Sequence, residues 1–193
     1  MLDIDTFSKG KAILMTSYRG FTLGPDETNT WYEIMKLDIS DDGFIPLIIQ
    51  YCRMESAPTC PADILNFGRK CIYNIAPSPT TFANDLITNI KRVNKEYYYS
   101  DISDDERKYH VINEFQKLTN PEFDNVIISV INIFFYDLLS AIRCSENKEI
   151  SFIKNEIKQT YHNSLKKFIS TTILSSAMLE LAAPTLLTLK EGF

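Results

Sequence analysis

A chain of 193 residues with 45% hydrophobic and 23% charged side chains carries enough apolar material for a buried core, which excludes a wholly disordered or fibrous protein. Its formal net charge of -5 is shared along the chain, 7 basic against 10 acidic residues up to residue 79 and 13 against 15 beyond it. A polycation that draws its affinity from DNA phosphates is thereby excluded, and a protein partner is the better expectation.

Helical periodicity dominates and strand-length alternation is hard to find, so the expected fold is all-α: a compact N-terminal four-helix unit over residues 1–76, then a second helical domain over 77–193 with a long C-terminal helix. Phe7, Leu14 and Tyr18 share one face of a first helix, which Gly20 ends. Asp26 is placed to cap a second helix whose Trp31, Ile34 and Met35 face inward. Phe44, Leu47, Ile48 and Tyr51 keep i, i+3, i+4, i+7 spacing, and Pro46 is tolerable if that helix starts close to Asp42. Thr59 followed by Pro61 starts a fourth helix, with Asp63 near its positive dipole end.

The run Asn74 to Thr81 holds two prolines and no helical face, which marks the boundary. Beyond it Phe82, Leu86, Ile90 and Val93 line a helix that Thr81 is placed to cap, and Ser103 with Glu106 forms a capping box before Val111, Ile112, Phe115 and Leu118. Asn120-Pro121 opens the most apolar helix. Its run from Val126 to Ile142 is interrupted by Asn132 and Asp137 and is short for a membrane span, so a buried core helix is expected and no membrane partner. After Ser145 one stripe runs through Ile150, Ile153, Ile157, Leu165 and Ile169, and continues through Ile173, Leu174, Ala177, Met178 and Leu181 until Pro184.

No catalytic set emerges. Gly68-Arg69-Lys70 lacks the upstream glycine and the Ser or Thr of a phosphate loop. His110 and His162 have no Ser or Cys motif beside them, and the acidic clusters Asp41-Asp42 and Asp104-Asp105-Glu106 fall at helix starts, where they complement the dipole. Cys52, Cys60, Cys71 and Cys144 lack paired zinc spacing. The N-terminal Met1-Leu2-Asp3-Ile4-Asp5 has neither the basic region nor the apolar core of a signal peptide, so reduced thiols in a cytoplasm are expected. No enzyme, no metal and no cofactor is the reading. Lys91, Arg92, Lys95 and Tyr98, within the run that ends in Tyr97-Tyr98-Tyr99, have the ingredients for stacking bases and neutralising phosphates, and at least one of the three tyrosines must pack inward.

Four segments occur in a telling order: the aromatic pair Tyr18 and Phe21; the T-x-x-W-Y-E start from Thr28 through Trp31-Tyr32-Glu33; Phe44-x-x-x-Ile48-x-x-Tyr51; and Pro58-Thr59-x-x-Ala62-Asp63-Ile64-Leu65. Together they resemble phage and prophage loaders and inhibitors of the replicative DNA helicase. More loosely, so do Pro79-Thr80-Thr81-Phe82-Ala83, Tyr97-Tyr98 and Ser145-Glu146-Asn147 ahead of Phe152-Ile153-Lys154. In the second half a tryptophan after Ala83 is missing and the spacing from Phe152 to Tyr161 is stretched.

The resemblance implies a non-enzymatic DNA-replication protein in the cytoplasm of a bacterial host. Such a protein binds the hexameric replicative helicase, holds it inactive and hands it to an origin initiator protein. It implies helicase contact toward the C-terminus, for which Leu174, Met178 and Leu181 are the candidates. Lys91, Arg92, Lys95 and Tyr98 are candidates for DNA or initiator contact, with weak or no direct nucleic-acid binding overall. A cut before Ser170 is expected to remove helicase binding and leave the N-terminal unit folded. The competing reading of the C-terminal stripe is a helix packed back on its own domain or in a homo-oligomer. Two alternatives stand beside the loader: an acidic helical nucleic-acid-binding or regulatory module, and a phage structural protein assembling through its C-terminal helix.

Overall fold

A computed structural model describes residues 1–175 together with Ala177 and Leu179. Capping chemistry sets where the helices begin. They are α1 (Ile4–Ser17), α2 (Pro25–Met35), α3 (Asp41–Met54), α4 (Pro61–Ile75), α5 (Pro79–Glu96), α6 (Asp104–Leu118), α7 (Asp124–Arg143) and α8 (Asn147–Thr171), with a 3₁₀ turn Pro121–Phe123 leading into α7. The chain is all-α. Its helices group into two compact units, one of Met1–Ile75 and the chain from Ile169 onward, the other of Ala76–Phe168.

In the first unit Asp3 caps α1 by accepting from the Asp5 N–H at 2.9 Å. Gly10 then lets α1 approach α3 so closely that a Cβ there would overlap the Phe44 ring. Past the end of α1 the chain turns through Gly20 at φ +87, a left-handed conformation that favours glycine. α2 starts two residues earlier than its acidic residues suggest: Gly24 is the cap, Pro25 takes the first helical position, and the Gly24 N–H donates to Glu27 at 2.8 Å. Asp26 is therefore inside the helix and not its cap. Trp31 and Met35 are buried, whereas Ile34 is 46% exposed, because α2 packs on α4 through a narrow i, i+4 stripe that leaves Ile34 on its flank.

α3 begins at Asp41, and it accommodates Pro46 inside the helix while Phe44, Leu47, Ile48 and Tyr51 are buried as their spacing implies. α4 is opened by Asp63, whose carboxylate accepts from the Thr59 N–H (2.7 Å), the Thr59 hydroxyl (2.9 Å) and the Cys60 N–H (3.1 Å). These three donors hold the Asp63 carboxyl below the usual carboxylate range, the Thr59 backbone first. Ile64, Leu65, Phe67 and Ile72 then fill the core from α4.

In the second unit Ser78, not Thr81, caps α5: its hydroxyl accepts from the Thr81 N–H at 3.1 Å, since Pro79 at the first helical position sets the cap one residue before it. Ser103 and Glu106 form the expected capping box of α6, with Ser103 N–H to Glu106 at 2.7 Å and Glu106 N–H to the Ser103 hydroxyl at 3.2 Å. α7 packs on α5 and α6 and buries Val126, Ile127, Val130, Ile131, Phe135, Leu138 and Leu139. Among the described residues Pro121–Arg143 is the helix long and apolar enough to cross a membrane, and half of its most apolar window is buried inside the fold. α8 contributes Ile150, Ile153, Ile157 and Leu165, plus Tyr161, whose ring stacks on Phe82 at 4.2 Å.

The helical stripe is interrupted after α8, and Ala177 and Leu179 are helical again. The helix ends at Thr171, and Ile173 and Leu174 are not helical: Ile39 and Leu174 form a parallel β-bridge in the first unit.

Candidate binding surface

The sequence candidates at the end of α5 are gathered by a loop that one buried arginine holds. Arg107, on α6, is 9% exposed and donates to the Tyr97 carbonyl (2.8 Å), the Ile102 carbonyl (2.8 Å) and the Asp104 carboxylate (2.9 Å). These bonds fix both ends of the turn Tyr97 to Ile102. Tyr97 is the tyrosine that turns inward, stacking on His110 at 4.8 Å. Tyr98 and Tyr99 turn outward, 68% and 97% exposed, with rings edge to face at 4.9 Å.

Lys91 and Lys95 are exposed on α5, next in sequence to this turn. Arg92 is already committed, to Glu96 at 3.2 Å, to Asn89 at 3.5 Å and to Glu114 at 3.3 Å. The candidates Lys91, Lys95 and Tyr98 thus present free heads, and Arg92 presents a neutralised one. A phosphate or a carboxylate on a partner would meet the two lysines first.

Behind Tyr98 lies a cleft of about 400 Å³ lined by Asn94, Tyr98, Arg107, Ile142 and Arg143. Arg143, the last residue of α7, grips Asp104 with both terminal nitrogens (2.9 and 2.7 Å) and donates to the Asn94 side chain at 3.1 Å. One carboxylate therefore serves two guanidinium groups. Bonding to Arg143 and then to Arg107 holds the Asp104 carboxyl below its ordinary range. Nearby, Asp105, Lys108 and Tyr136 form a second cluster: Lys108 meets Asp105 at 3.2 Å and the Tyr136 hydroxyl at 3.1 Å, and the Tyr136 hydroxyl donates to Asp105. The acidic run of residues 104 to 106 thus spends its charge on joining α6 to α7 and on capping α6. The sequence reading assigned these acids to the dipole and missed the arginines, whose only local signal is the i, i+3 spacing of Asp104 and Arg107.

Leu174 lies elsewhere and is engaged differently. It is completely buried in the first unit, its N–H donating to the Asp38 carbonyl at 2.8 Å and its carbonyl accepting from the Ser40 N–H and hydroxyl, each at 3.1 Å. In this arrangement its side chain is turned into the first unit and not to the surface. Met178 and Leu181 lie outside the described residues.

All four cysteines are free thiols, and burial pushes the Cys71 thiol up to about 11. Among the described residues no group of three or more His, Cys, Asp or Glu side chains gathers as a metal would require. No protein-family model, curated protein or solved structure matches the chain.

Proposed function

We propose that the protein is a non-enzymatic DNA-replication factor of phage or prophage type that binds a hexameric replicative helicase, holds it inactive and helps deposit it at an origin. The observation that supports this reading is where the resembling segments fall. The four segments fall in chain order along the four helices of the first unit: Tyr18 caps the end of α1 with Phe21 just beyond it, Trp31 lies in α2, Phe44 and Tyr51 in α3, Ile64 in α4. There Trp31, Phe44, Tyr51 and Ile64 are buried. Such a body needs no chemistry of its own: a different affinity for two states of the ring is sufficient to block its cycle.

The helicase contact is assigned to the chain beyond the docked Leu174, with Met178 and Leu181 as its apolar anchors, in the manner of an amphipathic segment laid into a groove. A pull-down with the hexameric helicase, paired with the helicase's ATPase rate with and without this chain, is the test. Binding in a fixed ratio with a lowered rate is expected, and M178D/L181D in the full chain should abolish both at unchanged helical content. A helicase whose binding and rate ignore the protein overturns the reading.

A second reading, contact with single-stranded nucleic acid, is favoured by one specific arrangement: two exposed tyrosine rings next to the exposed Lys91 and Lys95. A gel shift that weakens steeply with salt and is lost on Tyr98→Ala would carry it.

A further inference from the structure

At the corner between α2 and α3 an extended piece of chain, Thr172 to Ser175, lies against the first unit, and three independent features are shaped around it. The first is the Ser40 hydroxyl. A serine at the cap of a helix ordinarily turns its oxygen back onto the first turn, yet Ser40 makes no side-chain cap bond to α3 and donates instead to the Leu174 carbonyl at 3.1 Å. The second is a pair of glycines. A Cβ on Gly43 would overlap the Leu174 carbonyl and the Ser175 backbone, and a Cβ on Gly68 would sit 2.7 Å from a Leu174 methyl and 3.1 Å from Leu47. Gly43 lies in the first turn of α3 and Gly68 in the interior of α4, where alanine is intrinsically the better helix former, so the close approach of the segment gives both glycines a use. The third is the backbone bridge from Ile39 to Leu174, anchored by Asp38, whose own carboxylate is paired with Arg69 of α4 at 2.7 Å.

We propose that the groove between α3 and α4 is a peptide-binding site for an extended segment carrying a leucine, and that the chain's own Thr172 to Ser175 occupies it in cis as a releasable latch. The recognition chemistry is that of strand addition: main-chain groups on both sides of one residue satisfied by Asp38 and Ser40, and one side chain filling a pocket walled by glycine. The latch is footed on the completely buried Leu174, with Ile173 beside it 50% exposed, and Leu179 five residues on is completely buried as well, so amide exchange decides how readily the segment leaves. Tethering keeps the segment at millimolar or higher effective concentration, so a free segment of the same kind competes only when the latch is weakened.

The test uses the full chain and a fluorescent peptide of residues 171 to 179, with the same peptide carrying Leu174→Asp as control. A full chain with Leu174→Asp should take up the wild-type peptide at least ~10-fold more tightly than the unaltered chain does, in line with loss of the tethered competitor. Adding Gly43→Ala to that chain should remove the binding, and the control peptide should not bind at all. An L174D chain that keeps its helical signal and ignores the peptide, or binds it equally with Gly43→Ala, overturns the site. Wild-type protein that sediments as a dimer dissociated by Gly43→Ala would give the seat to a second copy and overturn the cis assignment. Amide exchange on the unaltered chain gives the answer even where L174D fails to fold. The Ser40 and Leu174 amides should exchange at least ~10-fold faster than those of Ile48 and Tyr51 deep in α3, and exchange only through global unfolding would overturn release.

Discussion

Asp104 accepts from two arginines at once, and its removal would leave both without their shared counter-charge. Asp104→Ala should therefore cost the second unit about 1–2 kcal/mol, a modest figure because the carboxylate is partly exposed, and urea unfolding monitored by helical signal measures it. The pH dependence has a definite sign. Because the folded pKa of Asp104 is depressed, its contribution is fully present above the ordinary aspartate range near pH 4 and is lost as pH falls through the folded value. The D104A chain should lose part of its acid-induced destabilisation below about pH 4, and an acid limb identical to wild type would remove Asp104 from it. Gly10 makes a second residue-scale case. Alanine there gains about 1 kcal/mol of helix propensity but meets the Phe44 ring, so Gly10→Ala should be net destabilising, by about 1–3 kcal/mol of overpacking less that gain.

At the scale of elements, what sequence made legible was what is local. The capping box of α6 needs only Ser103 and Glu106, and both were readable; so was the burial of Phe44, Leu47, Ile48 and Tyr51 from their spacing. The cap of α2 was misplaced onto Asp26 because the acidic residue is conspicuous, although Pro25 at the first helical position is the stronger signal. Ile34 and Leu174 failed for a different reason. Periodicity ranks faces by apolarity but does not know which neighbour arrives, and the partners of Leu174 are Asp38 and Ser40, 134 or more residues away. The β-branched run Thr171-Thr172-Ile173 weakens the helix there, and the distant backbone groups take over. A chain ended after Thr171 should accordingly lose at least about 2–4 kcal/mol from the first unit, the contribution of the buried Leu174 and its hydrogen bonds, with the buried Leu179 adding to it. The unit expected to stay folded after a cut before Ser170 would then do so at lowered stability, and equal melting midpoints for the shortened and full chains would overturn that loss.

For the whole molecule, the two units differ in how the chain supplies them. The second is one continuous stretch, Ala76–Phe168, whose helix caps Ser78 and Ser103 and whose polar hub of Asp104, Arg107 and Arg143 lie inside it. Expressed alone, residues 76–168 should fold cooperatively with native-like helical content, which circular dichroism and a single urea transition would check; a non-cooperative melt would make the units interdependent. The first unit draws on both sides of that stretch. During synthesis its four helices leave the ribosome first, yet the seat facing Gly43 stays bare until residue 174 emerges, about 5–20 seconds after Ile75 at ordinary elongation rates. A nascent chain therefore spends that interval with an uncovered leucine pocket, during which any leucine-bearing extended segment nearby has first claim on it.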